Sequence, residues 1–328
     1  LPLPVPYRIT HRLQLIMDAA AKQDAGPSAL VVIPGNVNYF YNQAGRRVAE
    51  ALQCLGWRVH LTTLNSLPGE KFDWGFLVNV NELMHSCQPA GKHLLSIARG
   101  QCRRMSQVLL ECVTTDWFTH SFEFGRRAGA DYLFDLGLQD QSEQLPKAAA
   151  QGYRFVFNGL TATETQALKS LNAQEPRPIP WAFVGHQTPA RVELLYRLVR
   201  EFDPSGFFYV PELSPVTEDG PHLNEEQFLR VLSKTRYQIW SSHHPGIYLE
   251  GERFRASLLT GSVPVKIMLN NTSLPPDTPF SYLLVEENRL TEGLRALEFQ
   301  QTRSRFVADF LSLPTLADSL SEVVNRIG

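Results

Sequence analysis

Two hydrophobic rhythms alternate along this chain. Leu30 to Ile33 is a compact apolar run that predicts a strand, and the turn Pro34-Gly35-Asn36 follows it. From Gln43 to Leu55 the apolar positions Ala44, Val48, Ala51, Leu52 and Leu55 recur at helical spacing, and Gly56 closes the helix. Arg58 to Leu61 predicts a second strand, so the chain opens as a βαβ unit, an opening shared by many nucleotide-binding folds. Further strands are predicted at Phe76 to Val80 and Val108 to Val113, with a helix near His93 to Arg103 between them. Asp131 to Leu136 and Arg154 to Phe157 complete this half.

The stretch Ser170 to Pro180, SLNAQEPRPIP, breaks the rhythm. Its prolines remove backbone donors and resist helix, so it reads as a linker. The alternation then restarts with a strand at Trp181 to Val184, Gly185, and a helix from about Pro189 to Phe202. A strand at Phe207 to Val210 and a helix at Leu223 to Ser233 come next. Tyr237 to Trp240 predicts a strand, Phe254, Leu258 and Leu259 mark a helix stopped at Gly261, and Val263 to Met268 another strand. The last helix is expected at Leu316 to Ile327. Such alternation on both sides of a linker predicts an α/β protein of two Rossmann-like domains, divided at 173/174.

Composition narrows the partners. The 328 residues suffice for two ordinary domains, and 43% apolar with 20% charged residues is usual for a globular chain. A net charge of −2 gives no reason to expect nucleic acid or an anionic membrane. No stretch approaches the roughly 20 apolar residues of a membrane span. The start, LPLPVPYRIT, lacks Met and the order of a secretory leader; a processed or trimmed start and a cytoplasmic place, or one peripheral to a membrane, are expected. Cys54, Cys87, Cys102 and Cys112 show no C-x-x-C spacing, so free thiols are expected and no metal site or cofactor. The sequons at Asn270 and Asn271 carry no weight without a leader.

The richest segment is Tyr237 to Ile267, YQIWSSHHPGIYLEGERFRASLLTGSVPVKI. A strand breaks into a Ser/His/Pro/Gly loop, then Glu250, Glu252, Arg253 and Arg255 cluster where the loop meets a helix. In open α/β sheets ligands bind outside the carboxyl ends of strands, where a helix N-terminus attracts anions. Two arginines there suit a diphosphate, and a carboxylate suits ribose hydroxyls. Each arginine has a plainer role as a solvated helix charge.

The order Arg253-Phe254, Arg255, Leu258-Leu259, Gly261-Ser262-Val263-Pro264-Val265 resembles the donor-binding segment of GT-B glycosyltransferases, in particular the exostosin-like, CgeB-like and α-1,3-fucosyltransferase groups. The resemblance implies two Rossmann-like domains facing a cleft: an acceptor domain over 1–173, a nucleotide-sugar donor domain over 174–305, and a final helical segment, 306–328, returning to the first domain. It implies transfer of a sugar from a nucleoside-diphosphate donor to an acceptor hydroxyl without a metal. Two features depart from the pattern. Retaining members often carry two glutamates with seven residues between them, and eight positions after Glu250 and Glu252 stand Leu258 and Thr260. Exostosin-like members carry a glutamate five residues before the helix-ending glycine, and here that residue is Ala256.

On this reading the donor is held by Gly185, Arg191, His243, His244, Tyr248, Glu250, Glu252, Arg253, Arg255 and Ser262. Arg191 and Arg255 converge on the diphosphate, and Gly185 admits close backbone approach. His243 and His244 donate to phosphate or sugar, or simply bond the loop backbone. The catalytic base is expected in the first domain. Asp116, beside Trp117 and Phe118, leads, with His120 second; Asp116 is equally suited to cap a helix. Glu82 and His85 come third. The loop Asn36 to Asn42 offers Asn36, Asn38 and Tyr39, with Glu82, to an acceptor. Two rivals stand: a nucleotide-sugar epimerase of the same fold, and a non-catalytic two-domain sugar-binding protein.

Overall fold

The computed structural model describes residues 26–35, 39–112, 118–145, 150–171, 175–211, 223–242, 249–268 and 277–327. Contacts divide the chain into two units. One runs to Thr163 and takes up the chain again from Pro314, and the other spans Glu164 to Leu313 apart from Pro215–Pro221.

The first unit is built on a six-stranded sheet: β1 (Ser28–Ile33), β2 (Arg58–Thr63), β3 (Phe72–Val78), β4 (Cys102–Leu110), β5 (Tyr132–Gly137) and β6 (Tyr153–Phe157). The strand order is β2-β1-β3-β4-β5-β6, and every pairing is parallel. Its helices are α1 (Tyr39–Cys54), α2 (Val80–Ser86), α3 (Gly91–Gln101) and α4 (Phe118–Arg127). A parallel sheet must be covered on both faces, and β1 shows how. Ala29, Val31 and Ile33 point into a core with Val48 and Leu52 of α1, whereas Leu30 and Val32 join Leu83 of α2 and Leu95 of α3 on the other face. The final helix of the chain, Leu316–Ile327, contributes Leu316, Leu320 and Val323 to the α1 face.

At β4 the strand limits differ from expectation, and buried polar residues are the cause. β4 starts at Cys102 and stops at Leu110 rather than spanning 108–113. Ser106 and Gln107 lie fully inside it, and a polar pair in the middle of an apolar run hides the strand. Ser106 Oγ accepts from Trp74 Nε1 at 2.8 Å, and Gln107 Nε2 donates to the Ser121 carbonyl at 3.0 Å, so each side chain keeps at least one hydrogen bond inside the core. Val80 opens α2 instead of closing β3, with Asn79 as its cap. Tyr39 to Asn42 are the first residues of α1, not a loop.

The second unit repeats the plan with β7 (Ile179–Val184), β8 (Phe207–Tyr209), β9 (Thr235–Ser241), β10 (Val263–Met268) and β11 (Leu284–Glu286), in the order β11-β10-β9-β7-β8, all parallel. Its helices are α5 (Ala162–Lys169, which enters the unit at Glu164), α6 (Pro189–Arg197), α7 (Glu225–Ser233), α8 (Gly251–Thr260), α9 (Leu290–Ala296) and α10 (Phe299–Leu311); the terminal helix is then α11. Thr188 caps α6, and Asn224 with Gln227 forms a reciprocal capping box on α7. Phe254 of α8 meets Trp240 of β9 edge-on at 5.6 Å, and Phe280, Phe306 and Phe310 continue the aromatic cluster. Among the described residues no helix is long and apolar enough to cross a membrane.

In each sheet the order reverses once, between β1 and β3 and between β7 and β9. These reversals are where a doubly wound sheet opens a crevice at its carboxyl edge.

Candidate functional site

At the carboxyl end of β7 the chain turns through Gly185, and two guanidinium groups meet it there. A Cβ placed on Gly185 would lie 3.2 Å from Arg191 Nη1 and 3.4 Å from Arg253 Nη2. A side chain there would crowd the Arg191 guanidinium by a few tenths of an ångström and touch that of Arg253. Arg191, 1% exposed, donates from Nε and Nη2 to the Ser241 carbonyl at 2.9 and 2.6 Å, and from Nη1 to the His186 carbonyl at 3.1 Å. It therefore ties the ends of β7 and β9 together across the reversal point. Arg253, in the first turn of α8, donates from Nη1 to the Val184 carbonyl at 2.8 Å and lies over the Trp240 ring at 5.6 Å.

Glu250 stands immediately before α8 with φ 61° and ψ 61°, a left-handed conformation that costs a non-glycine residue on the order of 1 kcal/mol. Its carboxylate is 3.5 Å from Arg253 Nε and 3.7 Å from Lys266 Nζ. Lys266 projects from β10 and is 1% exposed. Among the described residues, the carboxyl edge of the second sheet thus gathers Gly185, Arg191, Arg253, Glu250 and Lys266, with three cations to one anion. Such an excess, beside the N-terminus of a ten-residue helix, suits an anionic ligand.

Arg255 belongs to a different arrangement. Its Nη1 meets Glu164 of α5 at 2.8 Å, and its Nε and Nη2 meet Glu252 at 2.9 and 2.6 Å. Burial opposes the charge on this guanidinium, yet the Glu252 and Glu164 carboxylates outweigh it and hold its pKa above the ordinary value. Helical geometry separates the two arginines. Successive residues turn about 100°, so Arg253 and Arg255 project about 200° apart, while Glu250 with Arg253 and Glu252 with Arg255 each share a face. Ser262 is also elsewhere: it precedes β10, at the amino edge of the sheet, buried against Thr260 and Ser257. His243, His244 and Tyr248 lie outside the described residues.

In the first unit, Asn36, Asn38 and Asp116 lie outside the described residues. Tyr39 opens α1, and Glu82 lies in the first turn of α2, its backbone N–H donating to Asn79 Oδ1 at 3.3 Å. Asn79, with φ 49°, ends β3 at the reversal point. Burial, then the Glu82 charge, pushes the Tyr41 phenol above its ordinary pKa, while a hydrogen bond with Asn79 works against them. Tyr41, Asn79 and Glu82 therefore cluster at this carboxyl edge. His120 is exposed on α4, its ring 4.5 Å from that of Phe124. Lys266, Tyr41 and Asn79 were not singled out from the sequence. A lysine inside the apolar run VPVKIM was the available signal for the first. Among the described residues no group of three or more His, Cys, Asp or Glu is placed to hold a metal ion.

Fold and site define two doubly wound parallel α/β units, the second with a cationic carboxyl edge. No protein-family model matches the chain, and no curated protein matches it. Among solved structures it is similar to one described as the crystal structure of an α1,3-fucosyltransferase, at TM-score 0.39 and 11% identity, over 93% of this chain and 98% of that one.

Proposed function

We propose that the chain is a glycosyltransferase whose second unit holds a nucleoside-diphosphate sugar at the carboxyl edge of its sheet. The observation that carries this reading is the meeting of Arg191 and Arg253 on Gly185 at the β7/β9 reversal point. The diphosphate would lie against Arg253 and the N-terminus of α8, where the developing charge on the leaving group is met by guanidinium and helix dipole, without recourse to a metal. Arg191 would act mainly by fixing the two strand ends that shape the crevice. Glu250, held by Lys266 and Arg253, would accept from the ribose hydroxyls. An acceptor would be met by the first unit's edge, with Tyr39 and Glu82 among its contacts and His120 or Asp116 taking the hydroxyl proton.

The test is calorimetric binding of UDP, GDP, dTDP, CMP and ADP to the wild type and to Arg253→Ala. Selective binding of one nucleoside diphosphate, weakened about tenfold or more in the variant, is expected from loss of a charge-assisted contact. Absence of binding by every nucleotide would overturn the reading.

A further inference from the structure

At the β8 end of the second sheet, large apolar side chains stand uncovered. Phe208 of β8 is 54% exposed. Val192 and Tyr196 of α6 are exposed as well, and so is Val199 in the π-helical turn Leu198–Phe202 that continues this helix. The four form one ledge. Phe208 pairs with Phe183 of β7, so their rings lie on one face of the sheet. That face lies under α6, because the Arg191 guanidinium stands 5.7 Å over the Phe183 ring. Around α6, Val192 and Tyr196 project about 100° and 140° from the buried Arg191, and Arg197 about 240°. Arg197 Nη1 donates at 2.8 Å to the carbonyl of Glu287, which follows β11. The Arg197 flank therefore faces the β9–β11 side, and the Val192 flank overhangs β8.

The backbone below this ledge is an open edge. Among the described residues β8 has one neighbouring strand, β7. The Tyr209 carbonyl accepts from the Gly185 N–H at 3.2 Å, so it points toward β7. Backbone groups of successive strand residues point to opposite sides, which turns the N–H and carbonyl of Phe208 outward.

The start of the chain has the pattern such an edge requires. Residues 1–10, LPLPVPYRIT, precede the described residues and alternate without a break, Leu1, Leu3, Val5, Tyr7 and Ile9 against Pro2, Pro4, Pro6, Arg8 and Thr10. As a strand, this segment carries all its non-proline apolar side chains on one face. Proline has no N–H, and sheets admit it on an edge strand with that side toward solvent. Pro2, Pro4 and Pro6 fall on one backbone side, which is then the outer one. The N–H and carbonyl groups of Leu3, Val5 and Tyr7 are left to face a partner strand. Reach is sufficient, since the chain from Ile9 to Gly26 can span about 55 Å. That exceeds the width of about 40 Å expected for a unit of this size.

We propose that residues 1–9 dock on β8 of their own chain as an antiparallel edge strand, with the apolar face on the ledge of Val192, Tyr196, Val199 and Phe208. The direction follows from the pairing. In an antiparallel pair Leu3 or Val5 exchanges both backbone hydrogen bonds with Phe208 and lies on its face of the sheet. In a parallel pair the residue opposite Phe208 would be a proline, and the prolines would meet the ledge instead. The outward prolines then close the sheet against further strands. The docking does not depend on what the carboxyl edge binds.

The experiment is amide-resolved hydrogen exchange of the full chain and its variants. The Phe208 amide is expected to exchange about tenfold or more slowly in the full chain than in a variant lacking residues 1–9. Leu3→Pro combined with Val5→Pro removes two N–H groups that face β8 and should release the amide as the deletion does. Pro4→Ala, on the outer side, should leave it protected. The point variants lie outside both sheets, so they test the docking even if the deletion fails to fold. Equal exchange in the full chain and the Leu3→Pro/Val5→Pro variant overturns the proposal, and so does full release by Pro4→Ala. Protection that rises with protein concentration, alongside a dimer in sedimentation, would assign the ledge to a second copy and overturn it as well.

Discussion

Replacing Arg255 should damage stability far more than ligand binding, and the structure gives the scale. The guanidinium, with side-chain exposure of 7%, bridges Glu164 at 3% and Glu252 at 17%. Arg255→Met keeps much of the aliphatic volume but leaves Glu164 buried beside an uncharged group. Breaking a buried ion pair on one side costs about 3–5 kcal/mol, because the remaining charge is stranded. With about 2–4 °C of melting temperature per kcal/mol for units of this size, the fall should be about 6–20 °C. Differential scanning calorimetry of Arg255→Met, Glu164→Gln and the double variant is the assay. If the cost is stranded charge, the double variant should melt well above Arg255→Met, a coupling of about 1 kcal/mol or more. At temperatures where Arg255→Met is folded, its nucleotide affinity should stay within about threefold of the wild type, against about tenfold or more lost in Arg253→Ala. A melting temperature within about 2 °C of the wild type would refute the structural role of the bridge. Loss of nucleotide binding in the folded variant would return Arg255 to the ligand site.

Three further outcomes follow from single observations. Sugar transfer or nucleotide-sugar hydrolysis by the chain should survive EDTA within about twofold, because guanidinium groups are asked to carry the phosphate charge; complete loss restored by a divalent cation would refute that assignment. Asp73 Oδ2 accepts from the Ser28 backbone N–H and hydroxyl, each at 2.8 Å, and those bonds lower its pKa below the ordinary 3.8. The sign is that of a depressed carboxylate: its contribution is full above 3.8 and is lost as pH falls through the folded value, so Asp73→Asn should flatten the acid limb of a melting-temperature profile, and an unchanged limb would refute it. Of the four cysteines only Cys54 is exposed, so a thiol reagent should modify one thiol per native chain and none in Cys54→Ser; rapid labelling of Cys87, Cys102 or Cys112 would contradict the burial.

The alternation of strand and helix was legible because each element keeps its own period. β10 and α11 fall where the apolar pattern put them, at Val263–Met268 and Leu316–Ile327. Elements held by side-chain partners were not legible. β4 was read short because Ser106 and Gln107 find their bonds on Trp74 and on α4, 32 and 14 residues away in sequence, where no local pattern or propensity reports them. The ligand edge shows the same division. A charged cluster before a helix drew attention to this edge of the second unit, but as a count of charges it set Arg253 beside Arg255 and paired Arg255 with Arg191 on the diphosphate. The letters held a finer signal. In LEGERFR the spacing of Glu250 to Arg253 and of Glu252 to Arg255 is three, so the cluster is two ion pairs on opposite faces of α8. What spacing alone leaves open is which face meets the crevice. That is decided by Val184 and Gly185 at the end of β7, which take Arg253, and by Glu164 of α5, which takes Arg255. One helix thus presents a cation to the carboxyl edge and secures itself with another, and substitutions two residues apart should separate affinity from stability.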